Sequence, residues 1–377
     1  MIYVDNAATS WPKPKTVVEE IENCLVNYCA NPGRSGHNMS IASEQTVYGC
    51  REKLSKMFGL EDPSAIIFTN NATASLNTVI KGLIKPQNHV ILSSMEHNSV
   101  LRPVAACGAE YDVVNADRFG YVEPGDFEKL IKNNTALIIC TLSSNVCGSV
   151  QPFEKIAEIS HKYGIPFLLD ASQGAGTINI DMKKMKIDYL ACPGHKGLLG
   201  PTGTGVLCIN SSLHPNTLCE GGTGSYSKLL KQPDFLPDKY ESGTLNVVGI
   251  AGLTKGLEFI ENIGMDKILQ SELELTDYFA SELCKIPGVK LIGYNNKRQR
   301  TGVLSFVIEN MDSLVAASKL NYDYNIALRA GYHCAYNAHC SLGTEKTGTL
   351  RVSFGPFNTL DEADIILKAV KNISLQI

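Results

Sequence analysis

Short, continuously apolar runs alternate with longer stretches of helical spacing through the first half of the chain. The first helix is predicted over 16–28, where Val17, Val18, Ile21 and Leu25 recur on one face. The other predicted helices in this part are 39–58, a stretch ending at 84, 126–131 and 153–163, with a loop at 31–37. The apolar runs are 65–68, 89–92, 111–114, 136–142, 167–169, 189–191 and 206–209. Strands that are apolar throughout are buried on both faces, which indicates a mostly parallel sheet.

The rest of the chain has looser strand spacing. A loop-rich stretch over 219–244 precedes one long helical region over 247–284, which Pro287-Gly288 ends. Strands are expected over 302–308 and 349–353, a helix near Leu314 and a last helix from Leu360. This pattern predicts a large domain over 16–250 and a smaller C-terminal α/β domain over 251–377, joined by the extended N-terminal arm 1–15.

Composition indicates an ordinary globular protein of 377 residues, with 44% hydrophobic and 19% charged residues. The net charge of -4 gives no reason to expect nucleic acid or a membrane surface, and no apolar run approaches the length of a membrane span. Asp5 and Asn6 interrupt any secretory segment, and the twelve cysteines are scattered without a CxxC pair. We therefore expect a reduced, cytoplasmic protein without a disulfide framework.

Polar residues stand directly after the apolar runs. Each is interpreted as following a different run, and each alone reads as a helix cap or turn residue. In a parallel sheet, however, ligands bind beyond the carboxyl ends of the strands, so these residues are expected to converge on one edge. They are Thr73, His97, Asn145, Asp170, Gln173 and Lys196.

Lys196 lies in the segment ACPGHKGLLGPTGTG, residues 191–205, among neighbours with almost no side chain. Small neighbours let a flat ligand approach the backbone. A desolvated lysine readily loses its proton and forms a Schiff base, which is one interpretation of this segment. The other is a glycine-rich turn with a solvated lysine.

A pyridoxal 5'-phosphate site would find each group that it needs at this edge. Lys196 would supply the amine, and Asp170 the carboxylate that keeps the ring nitrogen protonated. Gln173 or Asn145 could donate to the ring oxygen, and His97 could stack on the ring. The backbone of Ala72-Thr73, at a helix start, could bind the phosphate.

Motifs along nearly the whole chain make it resemble the class V aminotransferase-fold enzymes, and among them the cysteine desulfurases and selenocysteine lyases. GHK with the following GPTG, and RxGxHCA, are the specific motifs; the others are weak singly. They are YVDNAATS, FTNNATASLN, EHNSVLRP, SSNVCG, DASQGAG, ESGTLN and RVSFGPFNT. The resemblance implies the pyridoxal phosphate-dependent transferase fold of type I, with a mostly parallel sheet in the large domain.

The same resemblance implies roles for single residues. Lys196 would bond to the cofactor, with Asp170 at the pyridine nitrogen, Gln173 near the ring hydroxyl and His97 over the ring. The phosphate would be bound by Thr73, His195 and, from the partner subunit of a homodimer, Thr244. Asn145, Arg329 and Arg351 would hold the substrate carboxylate, since an arginine fork matches two oxygens at once. Cys334 would accept sulfur from L-cysteine and pass it to an acceptor protein.

Three positions depart from the family pattern. Pro193 replaces the usual serine before GHK, so one phosphate donor is missing or replaced. Gly197 or a neighbour is an extra residue between the lysine and GPTG. Phe357 replaces the usual tyrosine before the final Asn-Thr.

The segment RAGYHCAYNAHC, residues 329–340, places His333, Cys334, His339 and Cys340 close together. Such side chains suit zinc, although adjacent ligands are poor for tetrahedral geometry and no second half is nearby. Cys340, past a turn at Asn337-Ala338, is interpreted as a structural residue that is buried or faces solvent. The function expected is cysteine desulfurase. Selenocysteine lyase, another class V lyase or transaminase, and a zinc-binding or interaction protein are the alternatives.

Overall fold

A seven-stranded sheet forms the centre of the larger part of the molecule, in a computed structural model that describes residues 1–33 and 35–376. Its strands are β2 (Ile66–Thr69), β3 (His89–Ser93), β4 (Glu110–Val114), β5 (Thr135–Thr141), β6 (Phe167–Asp170), β7 (Tyr189–Pro193) and β8 (Gly205–Ile209). They lie in the order β2-β8-β7-β6-β5-β3-β4, and β8 runs in the opposite direction to the other six. The predicted mostly parallel sheet is thus confirmed.

Helices cover both faces of this sheet, which is why its strands are apolar without alternation. In β6, Leu168 packs with the helices over 72–83 and 98–106, whereas Phe167 and Leu169 pack with the helices over 38–57, 153–162 and 247–263 on the other face. The helices of this part are α1 (Lys15–Asn27), α2 (Asn38–Met57), α3 (Ala72–Leu83), α4 (Asn98–Ala106), α5 (Pro124–Lys129), α6 (Phe153–Lys162) and α7 (Val247–Ile263). The loop predicted at 31–37 contains Arg34, which lies outside the described residues.

A second, smaller sheet is antiparallel, with its strands in the order 329–331, 349–353, 303–308 and 289–292. The N-terminal arm packs here, because residues 2–3 pair with residues 326–327 and Asp5 bridges to Ser353. Its elements are β1 (Ile2–Tyr3), α8 (Met265–Leu283), β9 (Val289–Ile292), β10 (Val303–Ile308), α9 (Ser313–Tyr324), β11 (Ile326–Ala327), β12 (Arg329–Gly331), α10 (Tyr336–Leu342), β13 (Thr349–Ser353) and α11 (Leu360–Ser374). The predicted boundary at 250/251 falls inside α7, and the division into domains stays a prediction.

Several local predictions were wrong. The helical region expected over 247–284 is two helices, because Gly264 adopts a φ of 93° between α7 and α8. That backbone conformation is one that glycine adopts readily, and it ends the first helix. The turn expected at Asn337-Ala338 is the first part of α10. Strands β9, β11 and β12 were missed because they are short and partly exposed.

Among the described residues, no helix combines the length and apolarity that crossing a bilayer requires.

Candidate active site

Eight of the predicted site residues line one pocket at the edge where the parallel strands end. They are Ala72, Thr73, His97, Asn145, Asp170, Gln173, His195 and Lys196. The interpretation that each follows a different strand was wrong in one detail, since Asp170 ends β6 and Gln173 follows the same strand. The convergence follows from the sheet, because parallel strands deliver their carboxyl ends to the same side.

Lys196 reaches the pocket on a tight turn after β7. The turn packs so closely that a Cβ atom at Gly194 would lie 2.2 Å from Thr204 Oγ1, and one at Gly197 would lie 2.2 Å from the carbonyl oxygen of Ala175. Leu199 in this turn adopts a φ of 59° and donates its N–H to the Lys196 carbonyl at 2.9 Å. Burial lowers the pKa of Lys196 to about 8, although the charge of Asp170 opposes the shift.

Asp170 is the last residue of β6, and Gln173 lies in the loop that follows. The Asp170 carboxylate is buried and accepts the N–H of Ser172 at 2.9 Å. Gln173 Nε2 donates to the carbonyl oxygen of Ala7 at 2.8 Å, which leaves its second N–H for another acceptor. The N-terminal arm therefore orients one of the side chains predicted to touch the cofactor.

His97 is both a helix cap and a pocket residue. It precedes α4, and its Nδ1 accepts the backbone N–H of Ser99 at 3.0 Å, which fixes the plane of the ring. Burial lowers the pKa of His97, and the charge of Lys196 adds to that effect while Asp170 opposes it. The imidazole is therefore neutral at neutral pH, which suits a ring that stacks on another flat group.

The start of α3 offers donors for an anion. Asn71 caps the helix through the N–H of Ala74 at 2.9 Å, and Ala72 and Thr73 line the pocket. The Nδ1 atom of His195 is buried and has no hydrogen-bond partner among the described residues. Helix N-termini bind phosphate through backbone N–H groups and the helix dipole. A phosphate therefore fits beside Thr73 and His195.

These side chains match the groups that pyridoxal 5'-phosphate requires. The pocket holds an amine of lowered pKa in Lys196, a buried acid in Asp170 and a helix N-terminus with an unsatisfied imidazole nitrogen nearby. Pro193 also lines it and has no N–H to donate.

Arg351 is fully buried on β13 and is held from two sides. Its Nη1 donates to the carbonyl oxygen of Asn145 at 2.9 Å, and its Nη2 lies 2.5 Å from Asp5 Oδ1. Burial lowers the pKa of Arg351, and the Asp5 carboxylate opposes the shift. Its Nε is buried and has no hydrogen-bond partner among residues 1–33 and 35–376.

Cys334 lies on a segment with unusual backbone angles that hydrogen bonds hold in place. His333 and Cys334 have φ angles of 48° and 59°, which non-glycine residues rarely adopt. Asn145 Nδ2 donates to the His333 carbonyl at 2.6 Å, and the N–H of Asn98 donates to the Cys334 carbonyl at 2.8 Å. Arg329 Nη2 lies 3.4 Å from the Cys334 sulfur. The backbone that carries the thiol is thus held by the first residue of α4 and by Asn145, which lines the pocket.

Comparisons with known proteins agree with this geometry. A family profile described as "Aminotransferase class-V" matches residues 2–366. The chain belongs to the aminotransferase class-V family. The resemblance that the motifs indicated is therefore confirmed, and the type I fold of the class V enzymes is confirmed with it.

Relatives within the aminotransferase class-V family carry one recurring name. A probable cysteine desulfurase of Borreliella burgdorferi is 34% identical, over 99% of this chain and 92% of its own length. Another, from Methanothermobacter thermautotrophicus, is 32% identical over 99% of this chain and 94% of its own. The apo structure of a cysteine desulfurase from Thermococcus onnurineus NA1 is 31% identical, with a TM-score of 0.91 over 100% of this chain and 95% of that one.

Arg329, Arg351 and Cys334 are predicted site residues that do not line the Lys196 pocket. Thr244 does not line it either. It is exposed and lines a separate cavity with Asn77 and Thr204. Its predicted role, reaching the phosphate of a partner subunit, stays a prediction.

The rings of His333 and His339 lie close together in the folded chain, with centroids 5.6 Å apart. His339 is buried with its Nδ1 2.7 Å from Thr344 Oγ1, whereas Cys340 is exposed on α10. In the part of the chain that the structure describes, no group of three or more His, Cys, Asp or Glu side chains is placed to hold a metal ion.

Sequence reasoning missed the part that the N-terminal arm plays at this site. Asp5 pairs with Arg351, and Thr9, Ser10 and Lys13 contact the backbone beside Lys196. The available signal was Asp5 in YVDNAATS, a charged residue inside an otherwise uncharged motif. A motif of this kind gives no indication of which distant residue it contacts.

Proposed function

We propose that the protein is a pyridoxal 5'-phosphate-dependent cysteine desulfurase that converts L-cysteine to L-alanine and keeps the sulfur as a persulfide on Cys334. The observation that carries the proposal is the position of the Cys334 thiol, because hydrogen bonds hold its backbone beside the pocket that contains Lys196. Asn145 lines that pocket and donates to the His333 carbonyl, and Arg329 lies 3.4 Å from the Cys334 sulfur. The names of the relatives support the same reaction.

Lys196, Asp170, Gln173 and His97 would hold the cofactor, with the start of α3 and His195 on its phosphate. When bound, pyridoxal phosphate supplies an electron sink for the substrate. Lys196 is suited to move the proton at the substrate Cα, because a lysine of pKa about 8 is partly neutral at neutral pH. The acid at Asp170 would keep the ring nitrogen charged.

Arg351 and Arg329 are suited to bind the substrate carboxylate. Arg351 keeps an unpaired Nε, and Arg329 has the Cys334 sulfur as its contact. A carboxylate held between them would bring the substrate sulfur near Cys334 Sγ. The thiolate of Cys334 would form the new S–S bond as the Cβ–S bond of cysteine breaks. One cysteine and one enzyme thiol then give one alanine and one enzyme persulfide, so atoms and electrons balance.

The purified protein, incubated with pyridoxal phosphate, cysteine and a thiol reductant, should release alanine and sulfide in equal amounts. The reductant is needed because the persulfide must be cleared for turnover. A parallel reaction with selenocysteine separates the alternatives. Alanine from selenocysteine alone would replace the proposal with selenocysteine lyase, and alanine from neither substrate would point to another class V reaction.

We also expect a homodimer in which Thr244 of one subunit completes the phosphate site of the other. Two observations support this expectation: Thr244 is exposed, and Pro193 in the pocket has no N–H to donate. A further observation is a group of exposed apolar side chains nearby in the chain, which favours a surface covered by a partner: Leu218, Tyr226, Leu229, Leu230 and Phe235. Sedimentation should give twice the mass of 40.9 kDa.

Thr244→Ala should weaken cofactor binding about tenfold, as expected for one lost hydrogen bond to a charged group. An active monomer would contradict this arrangement.

Two further proposals concern the setting of the reaction. A sulfur-acceptor protein would dock beside Cys334, where Tyr332 and Tyr336 are exposed and pack edge to face with their ring centroids 5.6 Å apart.

A reducing, cytoplasmic location is supported by twelve cysteines of which none is in a disulfide.

A further inference from the structure

The N-terminal arm ends against the backbone that carries Lys196. The carbonyl oxygen of His195 lies 3.1 Å from the backbone N–H of Ser10 and 3.1 Å from Thr9 Oγ1. It also lies 3.2 Å from Ser10 Oγ and 2.7 Å from Lys13 Nζ. Donors on three residues of the arm thus converge on one carbonyl, and the shortest of these contacts comes from a cation.

Lys13 differs from the surface lysines. It is partly buried, and no acidic side chain pairs with it among the described residues. Its ammonium donates instead to the His195 carbonyl and to Ser10 Oγ at 2.6 Å. Burial lowers the pKa of Lys13 to about 8. By contrast, the side chain of Lys15, two residues later, is 89% exposed and pairs with Glu19.

Ser10 extends the contact to the next peptide. Its hydroxyl accepts from Lys13 and can donate to the Lys196 carbonyl at 3.0 Å. The carbonyls on both sides of the Lys196 Cα are therefore held from the arm, and hydrogen bonds in such a chain strengthen one another. On its other side, the turn packs without spare room at Gly197 against Ala175.

We propose that Lys13 is a positioning residue, whose ammonium holds the His195–Lys196 backbone so that the Lys196 amine enters the pocket. Its catalytic consequence rests on the proposed desulfurase function, whereas the backbone contact does not. The donors of the arm bind the backbone carbonyls of His195 and Lys196, so these contacts do not involve the Lys196 side chain. A serine or threonine contact alone would lack the charge that makes the bond strong.

The test compares Lys13→Met with Lys13→Arg and, as a matched control, Lys15→Met in the full-length protein as purified. Methionine keeps most of the length of the unbranched side chain and removes the charge and donor. Hydrogen exchange should be about tenfold faster in Lys13→Met at the amides that close the turn, Gly194, Leu199 and Gly200. It should be unchanged in Lys15→Met and largely restored in Lys13→Arg. A tenfold change corresponds to about 1.4 kcal/mol.

Kinetics provide the second measurement. In Lys13→Met, kcat for alanine formation should fall about tenfold while KM for cysteine stays near wild type, because the groups predicted to bind the substrate carboxylate are untouched. Unchanged exchange at the turn in Lys13→Met, or equal acceleration throughout the protein, would overturn the proposal. If Lys13→Met does not fold, Ser10→Ala removes the relay and should show the same local acceleration. If the wild-type protein releases no alanine, the proposed function fails, but the exchange result still decides the role of Lys13.

Discussion

Replacement of Lys196 by alanine should lower alanine formation from cysteine by about 10⁴-fold or more, because one residue supplies both the covalent attachment and the proton transfer. Among the described residues, Lys196 is the only lysine that lines the pocket. Borohydride treatment followed by mass spectrometry should place the cofactor on Lys196 in the wild type. In the variant, no covalent adduct should be found.

A matched control is Lys183→Ala, since the Lys183 side chain is 62% exposed and forms a surface ion pair with Glu61. That variant should keep its rate and its adduct on Lys196. The lowered pKa of Lys196 adds a check in the cofactor-free protein, because only the neutral amine reacts with acylating reagents. Labelling of Lys196 should rise with pH and level off above about pH 8, whereas an ordinary lysine continues to gain reactivity towards pH 10. Full turnover in Lys196→Ala would contradict the whole proposed mechanism.

The second large effect is expected at Cys334. Cys334→Ser should retain the fold, the cofactor and its visible absorbance, yet lose alanine and sulfide release from cysteine by at least about 10²-fold. The reason is that proton abstraction depends on Lys196, whereas cleavage of the Cβ–S bond needs a sulfur acceptor. The sulfur of Cys334 lies 3.4 Å from Arg329, which is predicted to hold the same substrate.

Cys340→Ser is the control for this experiment, because it makes the same substitution on a nearby exposed thiol. It should leave the rate close to wild type, and mass spectrometry of the wild type should find the persulfide on Cys334. A persulfide on Cys340, or a Cys334→Ser rate near wild type, would refute the assignment. Activity retained in Cys334→Ser with selenocysteine alone would favour selenocysteine lyase, since selenium leaves more easily without a thiol acceptor.

Much of this site follows from patterns within short stretches of the sequence. Apolar runs such as that of β6 predict buried parallel strands, because a strand covered on both faces needs no polar side. Asp170 and Lys196 then belong to one edge, since each follows such a run. Asn71 and the polar start of α3 likewise mark a helix N-terminus, where an anion is stabilised. The fold class and the lysine pocket could therefore be predicted before any coordinates.

By itself, then, the sequence determined which side chains meet at the end of the parallel strands. The tertiary structure alone decided what holds them. The contact of Lys13 with His195 and the pairing of Asp5 with Arg351 join residues 182 and 346 positions apart, and no local pattern encodes such contacts. The left-handed backbone at Cys334 depends in the same way on donors from Asn98 and Asn145. Short-range periodicity reports which face of an element is buried, whereas the partner on that face is fixed only when distant elements pack together.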